Sequence, residues 1–203
     1  MFKVRPAGPD DDFEAIGNVY VKSWQAGYKG IVPQDYLDSL SSSRWAPKLS
    51  SGMHEILMLM DGGVYAGAAS LCPARDEAMA GWGEIVSMYV LPEYFGRGAG
   101  QMLMEAALAR LKAKGFDRIY LWVLQENRRA RRFYEKHCFE LSADSAEISV
   151  GGKTLTEVRY IQGAGDIHPA HMAQIVKTEI ERRVYLFDRV IQRNNVRGCF
   201  MCR

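Results

Sequence analysis

The chain has 203 residues, 48% of them hydrophobic, and a formal net charge of +2, which allows one good-sized core with an appendage. No charged-then-apolar segment precedes the first expected strand, and the longest apolar run, Ile56 to Met60, is far too short to span a bilayer. Cys72, Cys138, Cys199 and Cys202 lack the spacing of a disulfide framework, which points to a reducing cytoplasm.

Phe2-Lys3-Val4-Arg5 reads as a first strand. Asp10-Asp11-Asp12 then offers acidic capping ahead of Phe13, Ile16, Tyr20 and Trp24, which recur at helical spacing. A short second helix is expected over Gln34–Leu40. Ile56–Met60 and Val64–Leu71 flank Asp61-Gly62-Gly63, a hairpin signal. A β-type run from Glu84 to Val90 stops at Pro92, and after Gly96-Arg97-Gly98-Ala99-Gly100 the residues Leu103, Met104, Ala107, Leu108 and Leu111 take helical spacing. A strand over Ile119–Leu124 and a helix over Ala130–Lys136 follow. Phe139–Leu141, Glu147–Val150 and Thr154–Ile161 supply the last strands, with Gly151-Gly152 as their turn. Strands alternating with helices and hairpins predict a mixed α/β sheet. Gly163-Ala164-Gly165 reads as a linker, dividing a domain over 1–162 from an extension over 163–203. In that extension Met172, Val176, Ile180, Val184, Phe187, Val190 and Ile191 take the spacing expected of one long amphipathic helix. From Asp166 onward there are seven Lys/Arg against four Asp/Glu, leaving 19 against 20 elsewhere, so the positive excess lies in the extension.

A strand that feeds a glycine-rich turn at a helix N-terminus makes a site for a phosphorylated ligand. The first turn has unpaired N–H groups and a partial positive charge, and glycines let a diphosphate approach the backbone. A Walker A loop is excluded because Gln101-Met102, not Lys-Ser/Thr, follows Gly100. A dinucleotide fingerprint fits poorly, since the glycines fall at 96, 98 and 100 and Asp117 precedes the next apolar run instead of ending it.

The third option rests on two blocks. Val90-Leu91-Pro92 followed by Phe95-Gly96-Arg97-Gly98-Ala99-Gly100 resembles the pyrophosphate loop of the GNAT acetyltransferases, Gln/Arg-x-x-Gly-x-Gly/Ala, except that Phe95 stands where the family has Gln or Arg. Asn127-Arg128-Arg129-Ala130-Arg131-Arg132-Phe133-Tyr134, running on to Cys138-Phe139, is similar to the family's second block, Asn-x-x-Ala-x-x-Phe-Tyr-x-x-x-Gly-Phe, with Cys138 replacing glycine. The resemblance implies the GNAT fold over residues 1–162: a mixed, mostly antiparallel sheet of about six to seven strands flanked by helices, here with a C-terminal helical extension. It also implies acetyl transfer from acetyl-CoA to an amine, with no metal.

By that resemblance the pantetheine arm lies along Met88, Tyr89 and Val90, and a backbone N–H near Met88 or Tyr89 holds the oxyanion. The turn Phe95–Gln101 binds the pyrophosphate, and Asn127 bonds the pantetheine or fixes its loop. An alkyl ammonium, with a pKa near ~10, must lose a proton before it attacks, and the departing thiolate needs one. Glu84 is the candidate general base; the alternative is a solvated carboxylate at a strand end. Tyr134 is the candidate acid, the alternative being a core tyrosine beside Phe133. The cluster Arg128, Arg129, Arg131 and Arg132 opposes a helix dipole and is either a solvated face or an anion site, with Arg132 carried as a coenzyme contact. Trp24 and Tyr28 line an acceptor pocket or plug the core.

The acceptor is expected to be a small-molecule or peptide amine. Membrane partners are not expected and nucleic acid is disfavoured; a homodimer contact through the C-terminal helix is expected. His168-x-x-His171 and Cys199-x-x-Cys202 could form a zinc site only across an antiparallel dimer, because a helix over 171–193 would hold them roughly 30 Å apart at ~1.5 Å per residue. The competing function is a non-catalytic acyl-CoA sensor or regulatory module on the same fold.

Overall fold

The structure, a computed structural model, describes residues 1–163. The expected C-terminal helix, the dimer contact through it, and the paired histidines and cysteines lie outside the described residues. Seven strands form one sheet: β1 (Phe2–Pro6), β2 (Glu55–Asp61), β3 (Val64–Pro73), β4 (Gly83–Val90), β5 (Ile119–Leu124), β6 (Glu140–Val150) and β7 (Lys153–Gln162). Their order across the sheet is β1-β2-β3-β4-β5-β7-β6. Every neighbouring pair is antiparallel except β4 with β5, which run parallel. The helices are α1 (Phe13–Gly27), α2 (Gln34–Asp38), α3 (Ala46–Leu49), α4 (Ala99–Ala113) and α5 (Arg128–Lys136). No helix among the described residues is long and apolar enough to cross a membrane.

The acidic run before α1 divides its work. Asp12 caps the helix, its carboxylate accepting the Ala15 N–H at 3.0 Å. Asp11 instead pairs with Arg5 and accepts from the Gly8 N–H and Tyr65 hydroxyl, and these donors hold its carboxyl well below the usual carboxylate range, Arg5 first. α1 covers one face of the sheet, packing Ile16 and Tyr20 on Ile56, Met58 and Ala68. α4 covers the other, packing Leu103, Met104, Ala107 and Leu111 on Leu57, Leu59, Ala69, Leu71, Ile85 and Leu121. Each large side chain buried this way contributes about 1.5–3 kcal/mol of transfer free energy.

Two boundaries differ from the sequence reading. Phe139–Leu141 and Glu147–Val150 are not separate strands. Apart from Phe139, which stands just ahead of it, they belong to the single strand β6, which pairs with β7 on both sides of an irregularity where Leu141↔Tyr160 gives way to Ser145↔Val158. The apolar signal fails there because Ser142-Ala143-Asp144 loop out of register, turning Asp144 inward to a charged partner. The second helix ends at Asp38, short of Leu40, where the Ser39 hydroxyl bonds the Tyr36 carbonyl at 2.8 Å.

The feature that prepares a site is in the middle of the sheet. The β4–β5 ladder runs only from Gly83↔Ile119 to Ile85↔Leu121, although β4 continues to Val90 and β5 to Leu124. β4 carries one extra residue, Val86, between the pairs Leu71↔Ile85 and Ser70↔Ser87. Such a bulge bends a strand and re-aims the residues beyond it. β4 therefore keeps β3 as its neighbour while its other edge parts from β5.

Candidate active site

The glycine turn lies at the end of this parted strand. Pro92–Tyr94 form one tight turn, Phe95 is extended, and Gly96 and Gly98 take positive φ values of 73° and 81°. Gly98 is the N-cap of α4 in the left-handed region, where a Cβ would cost roughly 1–2 kcal/mol. The Met102 N–H donates to the Gly98 carbonyl at 3.0 Å, closing the first turn. The N–H groups of Ala99, Gly100 and Gln101 precede that bond and have no intrahelical acceptor, so they present an anion site with the dipole behind them. Gly100 serves close approach: a Cβ there would meet the Phe133 ring at 3.3 Å. This contact joins the two sequence blocks in space.

The polar side chains of the turn are engaged elsewhere. Arg97 lies over Tyr94 and Phe2, 5.0 and 5.8 Å from the ring centroids. Gln101 bonds Glu105 one turn along the helix, and Ala99 is buried. Phe95 is covered by Arg129, whose guanidinium carbon is 3.4 Å from the ring centroid.

Beyond Ile85, Met88, Tyr89 and Val90 pair with Ala69, Ala68 and Gly67 of β3, leaving the β5 side of β4 without a ladder. The Ser23 hydroxyl of α1 donates to the Val90 carbonyl at 3.0 Å. Three phenols from distant parts of the chain converge near this stretch: Tyr89 of β4, Tyr28 just after α1, and Tyr134 of α5. Burial pushes the Tyr28 phenol up to about 12 against an opposing hydrogen bond with Tyr89. Burial, followed by the influence of Tyr28, also raises both Tyr89 and Tyr134 well above the ordinary tyrosine value. Tyr134 is a core residue by packing, with Phe133, Phe139 and Tyr160 rings around it, yet it belongs to this electrostatic group.

Asn127 caps α5, its carbonyl oxygen accepting the Ala130 N–H at 3.1 Å. Arg131 is committed to the Tyr160 hydroxyl and the Gln125 carbonyl, while Arg128, Arg129 and Arg132 are exposed. Cys138, where the resemblance expects glycine, is the one non-glycine residue with positive φ among the described residues, at 61°. The backbone keeps the shape that glycine gives freely, and the cysteine carries the strain. Trp24 stacks edge-on with Tyr28 at 4.8 Å and neighbours Tyr36 and Trp45 at 6.5 and 5.9 Å. These half-buried rings wall the region between α1, α2 and the sheet.

Glu84 is not a solvated strand end. It is 1% exposed, and its carboxylate accepts at least four hydrogen bonds: Arg75 Nε at 2.9 Å, Nη2 at 2.5 Å and backbone N–H at 3.2 Å, and the Tyr120 hydroxyl at 2.7 Å. Tyr120 is opposite it in the parallel ladder and Cys72 in the antiparallel one. Burial, followed by Glu84, pushes the Cys72 thiol up to about 11. On the same face His54 Nδ1 is 3.1 Å from Ser70 Oγ, and Tyr20 OH is 3.0 Å from Ser87 Oγ. Burial, then Arg75, holds His54 below its ordinary value.

Sequence reasoning missed His54 and missed the anchor of this region. Arg159 of β7, 3% exposed, bonds Asp76 at 2.6 Å and lies 3.2 Å from Asp144. Its guanidinium covers Trp122 and Tyr120 at 4.7 and 5.4 Å. The adjacent residues Arg75 and Asp76 thus fasten the β3–β4 connection to Glu84 and Arg159. The available signal was a charged residue between the apolar Val158 and Tyr160.

With this geometry in place, comparison with known proteins is informative. The model of the acetyltransferase (GNAT) family matches residues 15–139. An uncharacterized N-acetyltransferase of Bacillus subtilis, YuaI, is 32% identical over 151 residues, covering 73% of this chain and 86% of that protein. Spermidine N(1)-acetyltransferase of Thermoplasma acidophilum is 25% identical over 157 residues, covering 74% and 92%. Among solved structures, PaiA N-acetyltransferase from Thermoplasma acidophilum in complex with coenzyme A superposes with a TM-score of 0.59 at 22% identity, over 77% of this chain and 98% of that one, which establishes a shared fold.

Proposed function

Because this chain belongs to the acetyltransferase (GNAT) family, we propose that it moves the acetyl group of acetyl-CoA to a small primary amine by direct attack in a ternary complex. The observation that carries the reading is the parting of β4 from β5 after Ile85↔Leu121, with the glycine turn following the parted strand. The residues present fit the coenzyme: an open strand edge for the pantetheine arm and three unpaired helix N–H groups for phosphate. Bound there, acetyl-CoA supplies an activated thioester. A small amine acceptor is supported by the relative that acts on spermidine and by the aromatic wall of Trp24, Tyr28 and Tyr36, which suits a cationic or apolar guest.

The chain's own groups then divide the work. A backbone N–H of Met88 or Tyr89, on the unladdered edge, receives the developing oxyanion. Glu84 takes the ammonium proton. Its carboxylate is held by Arg75, whose side chain is 46% exposed against 1% for Glu84. Tyr134 returns a proton to the thiolate.

Replacing Glu84 by Gln keeps the size and the Tyr120 contact but removes the proton acceptor. The kcat for amine acetylation is expected to fall by about 10²–10³-fold with coenzyme affinity retained. The deficit should shrink at a pH above the amine's own pKa, where the acceptor arrives deprotonated. Thiol-release kinetics with equilibrium coenzyme binding read both quantities, and an unchanged kcat across the pH range would remove Glu84 from the chemistry.

A further inference from the structure

We propose that Arg129, carried on α5 and braced by Phe95, is the side-chain cation of the coenzyme's phosphate site. This rests on the acetyl-CoA reading above. The glycine turn offers backbone donors, but its own arginine is turned elsewhere: Arg97 lies over Tyr94 and Phe2 and reaches the Glu93 carbonyl at 3.4 Å. At the first position of the turn, where a hydrogen-bonding side chain would be expected, Phe95 has only an aromatic face to offer.

That face is occupied. The Arg129 guanidinium carbon lies 3.4 Å from the Phe95 centroid, van der Waals contact for a stacked pair. A guanidinium stacked through its face keeps its N–H edges available, and those edges match the oxygens of a phosphate in a bidentate fork. Phe95 opens the turn that runs through Gly96 and Gly98 into α4, so the stack sets this fork at the start of that turn.

The setting otherwise disfavours a cation. Arg129 is the second residue of α5, where the helix dipole opposes positive charge. Burial alone accounts for the lowering of its pKa, with no carboxylate contributing. The next cation on the helix, Arg131, is satisfied by Tyr160 and Gln125. An exposed guanidinium stacked on the turn that leads into an anion-binding helix end, with no acidic partner among the described residues, is free to take a phosphate. The Gly100–Phe133 contact keeps the two helix starts together. Phe95 is therefore a positioning residue, and the hydrogen-bonding role of its place in the turn has passed to a second element.

The test is calorimetric binding of coenzyme A and of pantetheine, which lacks every phosphate, to the full chain and its variants. Arg129→Gln should weaken coenzyme A binding about tenfold while leaving pantetheine unchanged. Phe95→Ala should weaken coenzyme A by a smaller factor, because the fork loses its brace and not its charge. Arg128→Gln, one exposed residue away, should bind both compounds like the parent. Unchanged coenzyme A affinity in Arg129→Gln, or an equal loss for pantetheine, would overturn the assignment while the parent still binds. A parent chain that binds neither compound would overturn the coenzyme reading itself.

Discussion

Tyr134→Phe should lower kcat for acetyl transfer by about 10²-fold or more while leaving the acceptor KM and the fold nearly unchanged. The ring packs against Phe133, Phe139 and Tyr160, and phenylalanine retains those contacts, so the variant removes a proton donor and little else. Burial and the Tyr28 phenol raise the pKa of Tyr134, so the hydroxyl keeps its proton through the neutral and mildly alkaline range. A thiolate released in the same desolvated place is raised by the same burial and so becomes a better proton acceptor. The parent rate should therefore climb with pH as the amine loses its proton, with no alkaline decline traceable to Tyr134. A kcat within twofold of the parent would assign the phenol to packing alone.

Arg159→Met should be the most destabilising single change at the site, costing about 3–5 kcal/mol, because it leaves Asp76 and Asp144 buried without their cation. For a chain of this size that loss corresponds to a drop in Tm of roughly 10 °C. The consequence extends to chemistry. Asp76 is fastened to Arg159 and its neighbour Arg75 to Glu84, so releasing one clamp slackens the other, and kcat should fall even at temperatures where the variant is folded. Calorimetric melting with activity measured well below the transition separates the two effects. A Tm within about 2 °C of the parent would show that the buried charges find compensation in solvent.

The order of elements was readable because its signals are local. The helix of Phe13, Ile16, Tyr20 and Trp24 has its cap in the preceding residue, and the hairpin around Asp61-Gly62-Gly63 has its turn chemistry in three residues. The glycine turn was readable for the same reason, since positive φ at Gly96 and Gly98 is a demand each residue meets by itself. The clamps were not. Arg159 meets Asp76 across 83 positions, and nothing in either neighbourhood announces the other. The break in β6 hid for a related reason: Ser142-Ala143-Asp144 looks like a loop until the charge that draws Asp144 inward is known. Glu84 was legible as a carboxylate at the start of a strand, but its partner Arg75 lies in a connection without periodicity. The departures at Phe95 and Cys138 were visible as substitutions. Their resolution, a stacked arginine from another helix and a cysteine held at positive φ, exists only in three dimensions.

The central claim is acetyl transfer to a small amine, and it is tested most directly by incubating the chain with acetyl-CoA and a panel of polyamines, amino acids, aminoglycosides and peptides. Thiol release is measured in parallel with the mass of each acceptor. The account predicts free thiol in equal amount to an acceptor gaining one acetyl group at nitrogen, with the small amines leading the panel. Tight acetyl-CoA binding with no acetylated product from any acceptor would contradict it, and would instead identify the chain as an acyl-CoA sensor built on the same fold.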